Sequence, residues 1–137
     1  MGGLPIIRIQ NLNDKLCKSN YTSVSHEEKY KITNGDLLFA WAASLGVYIW
    51  NGGDAWLNQH IFKVEPYSFI EKEYLFYLFQ YLISEFYTRS HGSGMVHITK
   101  GEFEKTLAYL PPKAEQLRII KRINELFQNL NSINVNL

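Results

Sequence analysis

Hydrophobic and polar positions alternate in short bursts over the first half of this chain and then lengthen into helical stripes. Residues 6–9 form a brief, largely β-branched run after Pro5, which predicts a strand, and Asn11, Asn13 and Asp14 supply turn chemistry behind it. Ser25-His26-Glu27-Glu28 has the spacing of a capping box, in which Ser25 takes a backbone N–H and Glu28 reaches back. A helical turn is therefore expected there, ending near Asn34-Gly35. Residues 36–41 and 47–50 read as strands separated by a small-residue bend at 42–46. Asn51-Gly52-Gly53-Asp54 is a hairpin signal, with 56–64 as the returning strand and Pro66 closing it. Short strands joined by tight turns predict a small, twisted, mostly antiparallel sheet.

The period then changes. Residues 71–90 are apolar on almost every face between charged flanks, which predicts a helix buried between other layers. Gly92-Ser93-Gly94 ends it, 96–98 and 107–110 read as short strands, and 101–105 as a turn. Pro111-Pro112 can neither continue a strand nor sit inside a helix, but it suits the approach to a new helix beginning near Lys113. There Ile119, Ile123, Leu126, Leu130, Ile133 and Leu137 follow alternating steps of four and three, the seam of a coiled coil, widened by Ile120 and Phe127. Asn129, Asn131, Asn134 and Asn136 weaken helix propensity. Such a stripe packs either on its own domain or on another helix, and periodicity alone does not choose. The fold class is α+β, with a buried helix on the sheet and a C-terminal amphipathic, coiled-coil-like helix. The expected core holds Trp41, Trp50, Phe62, Leu75, Phe79, Leu82 and Phe86.

Composition narrows the class more than the chemistry. With 137 residues, 46% hydrophobic and 15% aromatic, the chain is long and apolar enough for a globular core. A formal net charge of +1 gives no bulk signal for nucleic acid. Locally, seven basic residues (Arg89, Lys100, Lys105, Lys113, Arg118, Lys121, Arg122) face three acidic ones (Glu102, Glu104, Glu115), an excess of four. That excess suits phosphates, and it equally suits a solvated helix face. Cys17 is the lone cysteine, which excludes an intrachain disulfide and a thiolate metal cluster. The start, MGGLPIIRIQ, lacks the pattern of a secretory leader, and the apolar run at 74–83 is too short for a bilayer. The expectation is a soluble cytoplasmic protein with no membrane partner.

No arrangement for nucleophilic or metal chemistry stands out. His26, His60, His91 and His97 lie in unrelated contexts, with neither a GxSxG elbow nor an HExxH pair. Glu27-Glu28-Lys29, with Asp14 upstream, matches the acidic-x-Lys fragment of metal-dependent nucleases, although helix capping accounts for the same residues. Leu110-Pro111-Pro112-Lys113 lacks the polar and aromatic flanks of an adenine methyltransferase motif, and no GxGxxG-type cofactor loop is present. Two glycine loops remain, Ser44-Leu45-Gly46 and Gly92-Ser93-Gly94. Glycine admits a close backbone approach, and hydroxyls and free N–H groups donate to phosphate. Most glycine loops are only turns; as candidates for phosphate or base-edge contacts stand Ser44, Gly46, Arg89, Ser90, His91, Gly92, Ser93, Gly94 and Lys100, and the candidate helix interface is Ile119, Ile123, Leu126, Leu130 and Ile133.

Five segments in order give these pieces a common meaning: Gly3-Leu4-Pro5-Ile6-Ile7-Arg8-Ile9, Gly35-Asp36-Leu37-Leu38-Phe39-Ala40-Trp41, Leu57-Asn58-Gln59-His60-Ile61-Phe62-Lys63-Val64, Gly92-Ser93-Gly94-Met95-Val96-His97-Ile98-Thr99, and Leu110-Pro111-Pro112-Lys113-Ala114-Glu115-Gln116 with Arg118-Ile119. Together they resemble the target-recognition domain of type I restriction–modification specificity subunits. The resemblance implies a non-catalytic, cofactor-free module that binds one half of a split double-stranded DNA target. It implies a helical region that spaces two recognition domains and docks modification and restriction subunits, with self-association through the last helix as a further expectation. On that pattern residues 1–110 form the recognition domain and 111–137 begin the helical spacer. Family members usually carry another strand and helix ahead of the Gly3–Ile9 segment, so an N-terminally incomplete, truncated domain is expected. The competing expectations are a dimerisation module that does not bind DNA and, more remotely, a metal-dependent nuclease using Asp14, Glu27 and Lys29.

Overall fold

A computed structural model describes residues 2–42, 45–89 and 100–135. In chain order the elements are β1 (Leu4–Ile7), α1 (Ile9–Asn13), β2 (Asn20–Thr22), a 3₁₀ turn (Glu28–Tyr30), β3 (Lys31–Ile32), β4 (Leu37–Ala40), β5 (Gly46–Ile49), β6 (Ala55–Leu57), β7 (Ile61–Val64), α2 (Lys72–Arg89), α3 (Lys100–Glu104) and α4 (Lys113–Val135). The strands form two small sheets, ordered β2-β1-β6-β3 and β5-β4-β7. The β1–β6 pairing is parallel and the other pairings are antiparallel. This is the expected α+β class, with its antiparallel strands divided between two sheets.

Strand β4 separates two cores. All of Leu37, Leu38, Phe39 and Ala40 are buried. Successive side chains of a strand point to opposite faces. Leu38 and Ala40 accordingly join Ile7, Ile32, Ala55, Leu57 and Ile61, while Leu37 and Phe39 join Val47 and the apolar side of α2. An unbroken apolar run is what a strand buried on both faces requires. Of the expected core, Trp41, Phe62, Leu75 and Phe79 pack against the second cluster and Trp50 against the first. Ile32, Leu38 and Ile61 between the sheets are fully enclosed, as is Leu37 on the α2 side of β4.

Helix α2 lies between the second sheet, which it meets through Leu75, Phe76, Phe79 and Ile83, and α4. Tyr74 is buried, and Tyr81 and Tyr87 reach solvent.

Several local expectations are corrected. The turn at 11–14 belongs to α1, where Asn11 takes the Arg8 N–H on Oδ1 (3.0 Å) and donates from Nδ2 to the Cys17 carbonyl (3.0 Å). The 3₁₀ turn carries no side-chain cap, and Glu27 pairs with Lys29 at 2.9 Å, so Ser25 and Glu28 do not form the expected box. The turn at 51–54 makes no hairpin, because β5 and β6 lie in different sheets. Bonds to residues 34–36 hold it instead: Gly53 N–H to Asn34 Oδ1 (2.8 Å), Gly35 N–H to the Trp50 carbonyl (2.7 Å), and Trp50 N–H to the Asp36 carbonyl (2.9 Å). Gly52 is needed there, since a Cβ would collide with the Trp50 ring. The expected strand at 56–64 breaks at Asn58, whose Oδ1 accepts the His60 N–H (3.2 Å) and whose carbonyl accepts the Ile61 N–H (3.0 Å). Residues 101–104 continue helix α3 where a turn was expected, and 107–110 form no strand, with Leu107 and Tyr109 exposed. The strand expected at 96–98 lies outside the described residues.

Candidate nucleic-acid interface

One end of the second sheet gathers the parts that the sequence marks as loops. Strand β4 ends at Ala40, and the connection to β5 runs through Trp41 and Leu45. The Leu45 N–H donates to Tyr87 Oη (3.2 Å), fastening this connection to the last turn of α2. Arg89 closes α2, its side chain 76% exposed and its guanidinium 3.9 Å from Glu85, one turn back. Helix α3 is seated beside the same turn by Phe103. That ring stacks on Phe39 (4.3 Å between centroids), meets Phe79 edge-on (5.3 Å) and lies 6.1 Å from Phe86. The β4–β5 connection, the end of α2 and the start of α3 therefore share one end of the molecule. Of the two regions singled out in sequence, the described parts, Leu45–Gly46 and Arg89 with the start of α3, lie at this end.

Gly46 opens β5 opposite Ala40. Its lack of a side chain has a packing reason, because a Cβ would lie 2.5 Å from Tyr48 Oη. Tyr48 lies two residues on, on the same face, and donates to Asn13 Oδ1 (2.6 Å), which links the second sheet to α1. Burial, and secondarily the neighbouring Tyr87, raises the Tyr48 phenol above its ordinary range, so it stays a donor. Gly46→Val is expected to displace Tyr48 and lower stability by about 1–3 kcal/mol in urea unfolding. Arg89 is exposed at the end of α2. Lys100 opens α3, and its side chain is outside the described residues, as are Ser44, Ser90, His91, Gly92, Ser93 and Gly94.

The same end holds two residues outside the candidate set that carry buried, unpartnered nitrogens. Trp41 and His60 meet edge to face at 5.7 Å, the Trp41 N–H donates to the His60 carbonyl (3.4 Å), and both Trp41 Nε1 and His60 Nδ1 are buried without a hydrogen-bond partner. Tyr87 is the third residue missed. The available signal was position, since His60 lies inside the Leu57–Val64 segment that resembles the recognition-domain motif. Among the described residues, no three His, Cys, Asp or Glu side chains gather to hold a metal. Asp14 Oδ1 accepts the Leu16 N–H (2.9 Å), and Glu27 is paired with Lys29.

Helix α4 carries two different stripes. Gln116, Ile120, Asn124 and Phe127 face the rest of the molecule. Ile120 is buried, Tyr77 Oη donates to Asn124 Oδ1 (2.8 Å), and the Tyr77 ring stacks over Phe127 (6.4 Å). Gln116 has no exposed surface. Its Oε1 accepts the Glu71 N–H (2.7 Å), and its Nε2 donates to the Phe69 (3.0 Å) and Pro111 (2.9 Å) carbonyls. The seam lies roughly a quarter turn away at ~100° per residue. There Ile119 and Ile123 are half-buried, and Leu126, Leu130 and Ile133 are 46, 55 and 57% exposed. Both packing alternatives left by the periodicity thus have a face of their own. No described helix is long and apolar enough to cross a membrane.

The family model for the type I restriction modification DNA specificity domain matches residues 1–137. The type I restriction enzyme MjaVIII specificity subunit of Methanocaldococcus jannaschii is 27% identical over 134 residues, 97% of this chain and 31% of its own length. The EcoBI specificity subunit of Escherichia coli is 27% identical over 131 residues, 95% of this chain and 27% of its own. This chain therefore spans less than a third of these relatives. Two solved chains share the fold. One comes from a study of complex assembly and conformational transition of the type I R-M system (TM-score 0.71, 22% identity, 97% of this chain and 33% of that one). The other is the HsdS subunit from Thermoanaerobacter tengcongensis (TM-score 0.70, 19% identity, 98% and 32%).

Proposed function

The chain belongs to the type I restriction modification DNA specificity domain family, and from that premise we propose that it reads one half of a bipartite double-stranded DNA target. The observation that carries this reading is the Leu45–Tyr87 bond, which sets the β4–β5 connection beside Arg89 and the start of α3. Residues 44–46 and 89–100 face the DNA, with Ser44, Gly46, Arg89, Ser90, His91, Gly92, Ser93, Gly94 and Lys100 as the contact set. Backbone and hydroxyl donors together with cationic side chains hold phosphates, and base edges are read from that platform. Residues 1–110 form the reader and 111–137 begin a spacer. The seam Ile119, Ile123, Leu126, Leu130 and Ile133 pairs antiparallel with another such helix, in a second copy or a tandem domain. The module catalyses nothing itself. It docks modification and restriction subunits in the cytoplasm and directs their chemistry to the site.

Arg89→Ala and Lys100→Ala in the assembled complex are expected to weaken DNA binding. Each phosphate contact removed lowers the salt slope of the logarithmic affinity by about 0.9. Mobility shift at several salt concentrations measures this, and unchanged binding in both variants overturns the placement of the DNA face. The exposed seam also suits a plain dimerisation module. Selection from a random-sequence DNA library separates the two: an enriched short motif supports recognition, and a dimer by light scattering with no enrichment supports the alternative.

A further inference from the structure

Polar anchors on each side of Ile120 join α4 to the reader. The first is Gln116, which ties the start of α4 to Phe69, Glu71 and Pro111. The second is the Tyr77–Asn124 hydrogen bond, eight residues further along and about 12 Å away at ~1.5 Å rise per residue. Apolar packing is non-directional and lets a helix roll or slide, whereas a hydrogen bond weakens steeply with misalignment. One anchor leaves α4 free to swing about that point. Two anchors fix both its tilt and the direction in which the neighbouring seam faces. A swing of about 10° about Gln116 carries the far end of α4, ~28 Å away, through roughly 5 Å. That exceeds the ~3.4 Å step between base pairs.

We propose that Tyr77 and Asn124 are positioning residues that set the number of base pairs between the two half-sites, by holding the seam at a fixed angle to the reader. The inference rests on the bipartite-target reading above. The attested use of a lone polar pair in a helix interface is to fix register at little gain in stability, which is the role assigned here. The Tyr77 phenol suits it. Burial, and then the Glu73 charge, raises it above its ordinary range and keeps it a donor. Its ring keeps the Phe127 contact whether or not the hydroxyl is present.

The test uses the chain assembled with its modification subunits and a DNA library of two randomised blocks separated by spacers of varied length. The wild type is expected to enrich one spacer length. Tyr77→Phe and Asn124→Leu are expected to enrich the same half-site sequences, with binding to spacers one base pair shorter or longer raised at least tenfold relative to the preferred one. A spacer profile identical to wild type in Tyr77→Phe overturns the inference while leaving the recognition reading intact. Should Asn124→Leu fail to fold, Tyr77→Phe decides alone. No enriched sequence with the wild type overturns the recognition reading and this inference with it.

Discussion

Replacing Gln116 with leucine is expected to destabilise the fold by about 2–5 kcal/mol, read as a lower midpoint in guanidinium unfolding. Leucine fills a similar volume but neither accepts the Glu71 N–H nor donates to the Phe69 and Pro111 carbonyls. Three backbone groups lose their partner where water replaces it poorly, at ~1–3 kcal/mol for each one left buried and unsatisfied. Gln116→Glu keeps the acceptor and loses both donors, so it is expected to fail as well. A nearby contact supplies the control. Lys113 donates to the Ser68 carbonyl (3.1 Å) and pairs with Glu71 (3.2 Å), but its side chain is half exposed. Lys113→Ala is therefore expected to cost less than ~1 kcal/mol. A Gln116→Leu midpoint equal to that of Lys113→Ala would mean that the clamp does not hold the junction.

Gln116 also marks where pattern reading stops. Its presence in the junction segment is visible in the sequence, yet a glutamine on an amphipathic helix looks like a solvent position. The stripe that packs α4 on α2 alternates Gln116, Ile120, Asn124 and Phe127, so it carries too little hydrophobicity to register. The cleaner apolar seam beside it is the one left exposed beyond Ile123. Elements whose signal is local were legible: β4 from its unbroken apolar run, α2 from its length, and the start of α4 from Pro111-Pro112. Pairings between distant segments were not. Nothing local shows that Asn34 and Asp36 capture the 50–53 turn and send β6 to pair with β1. The interface follows the same division. Glycine loops and Arg89 were evident as composition, and the placing of the β4–β5 connection beside the end of α2 depends on the bond between Leu45 and Tyr87, 42 residues apart.

That convergence is also where the second large effect is expected. Phe103→Ala should cost about 2–4 kcal/mol, below the ~3–5 kcal/mol typical of a fully enclosed phenylalanine because this ring is only half-buried. The loss divides unevenly over the molecule. Phe39 and Phe79 retain Leu37, Val47 and the other α2 side chains as neighbours, so the second core stays closed. Helix α3 has five residues, too few to persist in water without a tertiary anchor, and Phe103 is the side chain that ties it to the core cluster. Hydrogen exchange is therefore expected to lose protection in α3 and to keep it in β4. Phe103→Leu keeps an apolar anchor but loses the ring stacking on Phe39, worth ~0.5–1.5 kcal/mol, and is expected to restore most of both. On the proposed DNA face, Phe103→Ala in the assembled complex should also weaken DNA binding, since the start of α3 is then no longer seated against the end of α2, while Phe103→Leu should bind nearly as wild type. Loss of protection in β4 together with α3 would instead make the Phe39–Phe79–Phe103 cluster one cooperative unit, with the start of α3 part of the core and not a separately seated rim of the interface.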